Sequence, residues 1–499
     1  MASILCHTNV SEVVSKYPPK PVSNLQLTPG KLSISLTWED PEDYTEEGYT
    51  CTWAKTVVVR KTGGFPNDIH DGTVILTTVE RNKYKTSSYI DSNLTTGTTY
   101  YYRLFSCNTD GIYGEPAENS SVPINYTIMT VKLNLENSDP TKIGSYADDA
   151  VGMPCTGSDN GNASTNTWDT WQKFFGYRPC LFKDGNVVGY LKASDYAKFT
   201  SGKTADITSG NAGDVMIEFP RRGIKISKSG KILTVSMTDN PNDPDFKYYA
   251  HQRGSTDKDY FYLGSYIGSY QDGKLRSLSG KLPCTNPFTT QEEYAKKNGT
   301  GYGMLGYYQW VYIQCMYILM YKGKLNSQLV HGQGINEVYD ADDTFSYQSG
   351  DTNTWGNNYG GGNYYGYHVK LFGLEEIWGF GYQCVSNLCT KNYHILTTTD
   401  DTITDISKYT DQGTYGKNGS LGGYLTDCIG NEEVGFIGSN GSYDGSTTTF
   451  FCDYASISSG AVPYVGGGGD GYYNGIFCNY MMGKTVSTNR IICTRLQYL

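Results

Sequence analysis

The sequence predicts a multidomain, β-rich protein with an N-terminal β-sandwich, a small middle β-rich domain and a C-terminal α+β domain. Its 499 residues are enough for about three domains that each bury a core. Short alternating apolar runs separated by turn residues dominate the first part of the chain, and long helical patterns occur only in the second half. Gly and Tyr are abundant, with 59 and 45 residues, which is typical of a loop-rich protein with aromatic recognition surfaces.

We place the domain boundaries where the composition and the spacing of apolar residues change. Residues 1–18 form a short leader that ends at a pair of prolines, and residues 19–130 form the sandwich. Residues 131–253 form the middle β-rich domain, and residues 254–499 form the α+β domain.

The sandwich is predicted by strict alternation in the segment KLSISLTWED. Leu32, Ile34, Leu36 and Trp38 would share one face of an extended strand. About seven such strands within roughly a hundred residues is the spacing of a two-sheet sandwich.

Two turn signals organise the middle domain. Asp184 and Gly185 stand between two apolar runs, which indicates a β-hairpin. Ser229 and Gly230 mark a second turn between two further strands.

The C-terminal domain contains one strongly apolar segment, at residues 311–321. It predicts a buried helix, and it is too short to cross a bilayer, which takes about 20 residues. Loops rich in Gly, Asn and Tyr follow with short strands between them. The chain closes on the apolar run at residues 491–496, which we expect to be a strand anchored in the core.

Composition argues against several classes of function. The formal net charge of −10 and the absence of any Lys/Arg run oppose nucleic-acid binding and attachment to an anionic membrane. The N-terminus lacks the pattern of a secretory signal, and we expect no membrane insertion. Thirteen irregularly spaced cysteines predict buried free thiols rather than disulfides or a zinc site.

We expect no enzymatic activity, no cofactor and no metal. The sequence has neither a G-x-S-x-G elbow nor a Walker A loop, and its six histidines are too scattered for an iron site. Glu375 and Glu376 are adjacent, so their side chains point apart, and we expect one buried hydrogen-bond acceptor and one solvated acid. Two alternatives stay open: calcium at the acidic stretches 340–343 and 400–401, and a redox pair among three cysteines, Cys452, Cys478 and Cys493.

The N-terminal sandwich resembles a fibronectin type III domain. Trp38 matches the core tryptophan of the second strand of that family. Leu94, Gly97 and Tyr100 match its tyrosine corner, in which the tyrosine hydroxyl bonds to upstream backbone. The resemblance covers about 110 residues and implies a spacer or docking module without chemistry of its own.

The C-terminal part resembles the C-type-lectin-like domain of phage receptor-binding proteins, the family of the major tropism determinant and other retroelement-diversified proteins. The motifs that carry the resemblance lie in order over about 240 residues: Asn326-Ser327-Gln328 with Gly332 and Gly334, then residues 371–385, then Gly466-Gly467, residues 474–477, Asn489-Arg490 and Arg495-Leu496. The chain departs from the family at Gly469, Tyr472, Tyr473, Met481, Met482 and Cys493.

This resemblance implies a virion protein at a tail tip or fibre end, made in the host cytoplasm. It would bind a bacterial surface receptor, protein or glycan, attach to other tail proteins through its N-terminal domains, and assemble as a homotrimer. Two other functions stay open: a non-viral surface adhesin of the same fold, and an oxidase on the related scaffold of the formylglycine-generating enzymes.

The predicted receptor contacts lie in the Gly- and Tyr-rich stretch between residues 466 and 482. They are Gly469, Asp470, Tyr472, Tyr473, Asn474, Phe477, Asn479, Tyr480, Met481 and Met482. On a strand, Asn479 and Met481 would share one side, and Tyr480 and Met482 the other. The sequence leaves open which side faces outward.

Overall fold

The computed structural model describes most of the chain. The described residues are 17–155, 168–335, 347–360, 368–400, 402–403, 405–415, 421–442, 446, 448–458, 462–468, 474–483 and 492–499. The expected leader lies outside them except for its last two residues.

The described chain forms two compact units, Met1–Tyr126 and Thr127–Leu499. The first division follows residue 126, close to the expected end of the sandwich at residue 130. The second expected boundary, between residues 253 and 254, does not coincide with any division, because both sides of it belong to the second unit.

The first unit is a β-sandwich. Its strands are β1 (Ser23–Gly30), β2 (Ser33–Glu39), β3 (Tyr44–Glu46), β4 (Tyr49–Cys51), β5 (Trp53–Thr62), β6 (Thr73–Thr78), β7 (Tyr89–Ser92), β8 (Tyr100–Asn108) and β9 (Ala117–Ser121). One sheet has the order β1-β2-β7 and the other the order β6-β5-β8-β9, and β3 pairs with β4.

The alternation along β2 fills the sandwich core. Ile34, Leu36 and Trp38 are at most 1% exposed, as predicted. Leu32 was expected on the same face, but it is 41% exposed. The prediction for Leu32 is wrong because its φ of 50° places it in a turn before β2, where the alternation has not begun.

The tyrosine bond expected in this unit is present. The Tyr100 hydroxyl accepts a 3.0 Å hydrogen bond from the backbone N–H of Thr95. A second polar contact secures the core tryptophan, because Trp38 Nε1 donates to Asp40 at 3.0 Å. Asp40 also accepts a 2.6 Å bond from the Thr56 hydroxyl, which joins the two sheets.

The second unit contains the remaining strands. They are β10 (Ile128–Asn134), β11 (Gly144–Asp148), β12 (Arg178–Lys183), β13 (Asn186–Lys192), β14 (Asp195–Phe199), β15 (Asp214–Pro220), β16 (Gly223–Ser229), β17 (Ile232–Thr238), β18 (Gln252–Arg253), β19 (Thr256–Asp257), β20 (Tyr260–Gly264), β21 (Ser269–Gln271), β22 (Lys274–Arg276), β23 (Tyr302–Met304), β24 (Tyr359–Gly360), β25 (Val369–Leu371), β26 (Leu374–Glu375), β27 (Tyr382–Cys384), β28 (Leu388–Lys391), β29 (His394–Thr397), β30 (Thr410–Thr414), β31 (Leu421–Cys428), β32 (Gly438–Ser442), β33 (Tyr454–Ile457), β34 (Val462–Gly466), β35 (Gly475–Gly483), β36 (Ile492–Cys493) and β37 (Leu496–Tyr498).

Two seven-stranded sheets dominate the second unit. The first large sheet has the order β14-β13-β12-β15-β20-β37-β23, and the second has the order β32-β31-β33-β35-β34-β27-β36. In the first large sheet β15 pairs antiparallel with β20, and β20 pairs with the C-terminal β37. The pairing of β15 with β20 crosses the expected boundary at residue 253, which is why the middle segment and the C-terminal segment belong to one unit.

Both predicted turns are observed. Asp184 and Gly185 connect β12 and β13 with φ values of 50° and 79°, the left-handed pair that a two-residue hairpin requires. Gly230 has a φ of 59° and connects β16 with β17.

The helices of the second unit are α1 (Trp168–Phe175), α2 (Phe288–Lys296), α3 (Tyr307–Met320) and α4 (Ser327–Val330). The predicted buried helix is confirmed as α3, which is buried on every side. Its polar side chains each donate to the backbone of a different segment: Gln309 to Ala250 at 2.6 Å, Tyr312 to Pro220 at 2.9 Å and Gln314 to Ile476 at 2.8 Å. These three bonds offset the cost of burying polar side chains of the helix in the core.

The C-terminal run is anchored in both large sheets. Ile492 and Cys493 form β36, which pairs parallel with β27. Residues 496–498 form β37, between β20 and β23. Throughout the described ranges, no helix has both the length and the apolar character needed to cross a membrane.

Candidate functional site

For five of the ten predicted contact residues, the structure does not describe the side chain. Gly469, Asp470, Tyr472 and Tyr473 lie outside the described residues. Met482 belongs to β35, and the structure describes only its backbone.

Of the other five, Asn474 directly precedes β35, and the remaining four lie on its two faces. Asn474, Phe477, Asn479 and Met481 are at most 3% exposed, whereas Tyr480 is half-buried on the opposite face. Phe477, Asn479 and Met481 alternate toward the core, as the period of a strand requires. The expectation that these four buried residues contact a receptor conflicts with their placement.

Tyr480 belongs to a row of tyrosines that crosses the second large sheet. We call this row the tyrosine face: Tyr424 on β31, Tyr454 on β33, Tyr480 on β35, Tyr464 on β34 and Tyr382 on β27. Ring centroids lie 5.7 Å apart for Tyr424 and Tyr454, 6.0 Å for Tyr454 and Tyr480, and 4.9 Å for Tyr480 and Tyr382.

The row is graded in exposure. Tyr382 and Tyr464 are buried, whereas Tyr424, Tyr454 and Tyr480 are half-buried. Burial raises the pKa of the Tyr464 hydroxyl well above its ordinary value, so the hydroxyl stays protonated at neutral pH. The half-buried rings are fixed by their neighbours and still present area to solvent.

Strand register places two small residues beside these rings. Ser456 lies opposite Gly422 on β31 and opposite Tyr480 on β35, and Tyr424 lies opposite Tyr454. A Cβ on Gly422 would lie 4.0 Å from the Tyr454 hydroxyl, which shows that the Tyr454 side chain extends toward the glycine. Gly422 and Ser456 therefore line a shallow depression between the larger tyrosine side chains.

The described part of this face is uncharged. Along β31, β33 and β35, the described side chains that alternate outward with partial exposure are Tyr424, Thr426, Tyr454, Ser456 and Tyr480. Each carries a polar hydroxyl, and the tyrosines add rigid aromatic area at low entropic cost, which suits non-covalent recognition.

Buried polar groups fix the start of β35. The Asp453 carboxylate accepts a 2.7 Å bond from the Phe477 N–H, and the Ser327 hydroxyl accepts a 3.3 Å bond from the Ile476 N–H. Burial raises the pKa of Asp453 well above its ordinary value. The Asn-Ser-Gln motif thus holds the backbone of the strand that carries Tyr480.

Tyr424 and Tyr454 were not among the predicted contact residues. The signal that could have found Tyr424 is the alternation in LGGYLTDC, where Leu421, Gly423 and Leu425 are buried and the residues between them are half-buried. Tyr454 follows a turn, and only its pairing with β31 and β35 brings it into the row.

The adjacent acids of the 371–385 motif are both buried, at 1% exposure each. Glu375 accepts from the N–H groups of Gly350 at 2.7 Å and Thr352 at 3.0 Å. Glu376 bonds His368 Nδ1 at 2.6 Å, and burial raises the pKa of Glu376 to about 7. The expected solvated acid is not observed, because both carboxylates find partners inside the unit.

The structure bears on only part of the two open alternatives. Burial raises the pKa of Cys452 and Cys493, the latter to about 12, which disfavours the thiolate that redox chemistry needs. Asp400 accepts from the Thr402 N–H at 2.9 Å as an ordinary turn, while residues 340–343 and 401 lie outside the described ranges. Within the described residues, no group of three His, Cys, Asp or Glu side chains is arranged to hold a metal ion.

Comparisons with known proteins do not assign a family. No protein-family model matches the chain, and no curated protein matches it. Among solved structures, the crystal structure of the rat CD45 extracellular region, domains d3-d4, matches 21% of this chain and 50% of that chain, at 19% identity and a TM-score of 0.16. A TM-score this low does not establish a shared fold.

Proposed function

We propose that the chain is a component of a phage tail tip or tail fibre, and that it binds a bacterial surface receptor non-covalently through the tyrosine face. The tyrosine row carries this proposal. Tyr424, Tyr454 and Tyr480 are aromatic anchors held on a sheet, and such anchors give most of the binding energy of a recognition surface at low entropic cost.

Contacts between the motifs support a C-type-lectin-like arrangement of the C-terminal part. Trp378 Nε1 donates a 2.8 Å bond to the Gly332 carbonyl, which joins the second motif to the first. Gly334 approaches the backbone of Gly379 so closely that a Cβ would lie 2.7 Å from its Cα. The order of elements, two helices followed by a loop-rich sheet, is the order on which the resemblance rests.

The first unit supports the rest of the proposal as a spacer or docking module. Its three-plus-four strand order and the bond of the Tyr100 hydroxyl support a fibronectin type III-like identity. We propose that this unit contacts other tail proteins in the virion. Assembly as a homotrimer would place several tyrosine faces side by side, so that weak individual contacts add in avidity.

Binding to host cells tests this function. The full chain is labelled and its binding to a panel of candidate bacteria is measured, together with its ability to block phage adsorption. In the double variant Tyr454→Ala, Tyr480→Ala we expect binding to fall about tenfold or more, since two aromatic anchors are lost. Tyr260→Ala is the matched control, because Tyr260 is a 41% exposed tyrosine on the first large sheet.

Two results would contradict the proposal. The first is unchanged binding by a double variant whose melting curve matches that of the wild type. The second is an equal loss in Tyr260→Ala, which would indicate a non-specific aromatic effect.

A further inference from the structure

A second candidate site lies on the other large sheet, away from the strands of the tyrosine face. It is an open cleft of about 430 Å³ between α1 and the start of β12. Its lining includes three charged side chains and one amide side chain, those of Asp169, Lys173, Arg178 and Gln172, together with Gly176 and Tyr177. The receptor-binding proposal gives this cleft no role.

Arg178 is held rigidly at the edge of the cleft. Its Nε and Nη2 donate to one oxygen of the buried Glu218 carboxylate at 3.0 and 2.5 Å. The guanidinium lies 3.8 Å over the ring of Tyr190, and the Tyr262 hydroxyl bonds the other oxygen of Glu218 at 3.0 Å. The Arg178 side chain is nevertheless 48% exposed.

This arrangement pre-organises a guanidinium for a ligand. A free arginine side chain loses rotamer entropy when it binds, whereas Arg178 is already fixed by Glu218 and Tyr190. Within the described residues, its Nη1 has no hydrogen-bond acceptor in the protein. The N–H groups of Nη1 can therefore donate to an oxyanion.

Lys173 brings a second positive charge to the same cleft. It lies in the last turn of α1, is exposed, and has no carboxylate within 4 Å among the described residues. The end of α1 is fixed, because Gly176 terminates it with a φ of 72° and Arg222 donates two bonds, at 3.1 and 2.9 Å, to the Phe174 carbonyl. Arg222 also offsets the partial negative charge of the helix end, which would otherwise repel an anion.

We propose that this cleft binds an oxyanion, the carboxylate or phosphate group of an acidic, hydroxyl-rich polymer. Arg178 and Lys173 would bind the anionic group through charge-assisted hydrogen bonds. Asp169 and Gln172, the acidic and amide side chains of the cleft, would bind neighbouring hydroxyl groups. The proposal gives a binding role to the segment between residues 127 and 253, and it does not depend on the tyrosine face.

Small probes test the site and distinguish its two sources of anion. The full chain is titrated with glucuronate, with glycerol 3-phosphate and with the neutral methyl glucoside, and binding is followed by ligand-observed NMR. We expect one or both anions to bind and the neutral sugar to bind much more weakly. Added salt should weaken the binding of the anions, because it screens their attraction to the two cationic side chains. Binding of glucuronate alone would identify a carboxylate site, and binding of glycerol 3-phosphate alone a phosphate site.

Charge-removing variants locate the site. Lys173→Gln and Arg178→Gln should each weaken anion binding about tenfold, the effect of one charge-assisted bond. Lys192→Gln, an exposed lysine on the neighbouring strand β13, should leave it unchanged. Replacing Arg178 uncovers the buried Glu218 and lowers stability, so Lys173→Gln decides the question if the Arg178 variant melts early.

The proposal is overturned if neither anion binds, or if methyl glucoside binds as tightly as the anions. Unchanged anion affinity in Lys173→Gln would also overturn it.

Discussion

The guanidinium of Arg495 donates a 2.8 Å hydrogen bond to the backbone carbonyl of Glu376. Its other donors reach four further oxygens, those of Gly264, Ser265, Glu375 and Gln383. Arg495 is fully buried, and burial lowers the pKa of its guanidinium to about 10, so it remains charged at neutral pH. One buried cation therefore ties the end of β20, the acidic motif and the C-terminal run together through carbonyl dipoles.

Replacing Arg495 with Met should destabilise the second unit strongly. The substitution leaves several buried carbonyls without donors, and each such loss costs about 1–3 kcal/mol. We expect the free energy of unfolding to fall by more than about 3 kcal/mol, as when one partner of a buried charged network is removed. Urea unfolding of the full chain, followed by tryptophan fluorescence, measures it.

Two variants control this measurement. Lys296→Met removes an exposed cation that pairs with Glu292, and its effect should stay below about 1 kcal/mol. Arg495→Lys keeps the positive charge but loses the planar guanidinium with its several donors. Its free energy of unfolding should therefore lie between those of Arg495→Met and the wild type. If Arg495→Met unfolds at the same urea concentration as Lys296→Met, the carbonyl cluster does not stabilise the unit.

Much of the local structure could be predicted from the sequence, because short-range patterns determine it. The alternation that ends at Trp38, the Asp184-Gly185 hairpin and the buried helix α3 each follow from the spacing of neighbouring residues. The insertion of β37 between β20 and β23 does not follow from any local pattern. It joins residues more than 190 positions apart. The expected boundary at residue 253 is bridged by another non-local pairing, that of β15 with β20.

The site could be predicted only in part, for the same reason. The Gly- and Tyr-rich composition of its segment predicts Tyr480 as a contact residue. The alternation of a strand correctly places Tyr480 on the opposite face from Asn479 and Met481. Which face of β35 points outward depends on its packing against α3, where Gln314 donates to Ile476. Tyr424 and Tyr454 come from other strands, and only sheet pairing brings them to Tyr480.

The buried amine of Lys370 should make the stability of the second unit depend on pH. Lys370 donates a 3.1 Å bond to the Thr352 carbonyl and lies 3.9 Å over the Tyr196 ring, but burial lowers its pKa to about 7. The folded state thus favours the neutral amine, while the unfolded chain keeps an ordinary lysine. Above the unfolded pKa of about 10.5 the amine is neutral in both states, and the unit has its full stability. As the pH falls from there to about 7, only the unfolded chain takes up the proton, so the free energy of unfolding decreases.

Comparison of wild type with Lys370→Met isolates this effect. As the pH rises from 7 to 10, the free energy of unfolding of the wild type should increase relative to that of Lys370→Met by up to about 1.4 kcal/mol per pH unit. Lys192→Met, at an exposed lysine, should show a difference that stays flat over the same range. Urea unfolding at several pH values measures both, and a flat difference for Lys370→Met would refute the prediction.

Gly475 allows β35 to begin directly against the buried Asp453. A Cβ at this position would lie 2.2 and 2.4 Å from the two Asp453 carboxylate oxygens and 2.4 Å from the Ser327 hydroxyl. Asp453 cannot yield easily, because it holds the Phe477 N–H. Gly475→Ala should therefore cost about 1–3 kcal/mol of stability, as overpacking in a core does, and it should weaken receptor binding by displacing the strand that carries Tyr480.

A double-mutant cycle separates this contact from a general intolerance of alanine. Asp453→Ala removes the clashing carboxylate, so Gly475→Ala should be much less harmful in the Asp453→Ala background than in the wild type. Gly422→Ala provides the stability control, because its Cβ would come no closer than 4.0 Å to the Tyr454 hydroxyl. Thermal melting of the four cycle members and the control gives the coupling energy, and strictly additive effects would show that Asp453 is not what confines residue 475 to glycine.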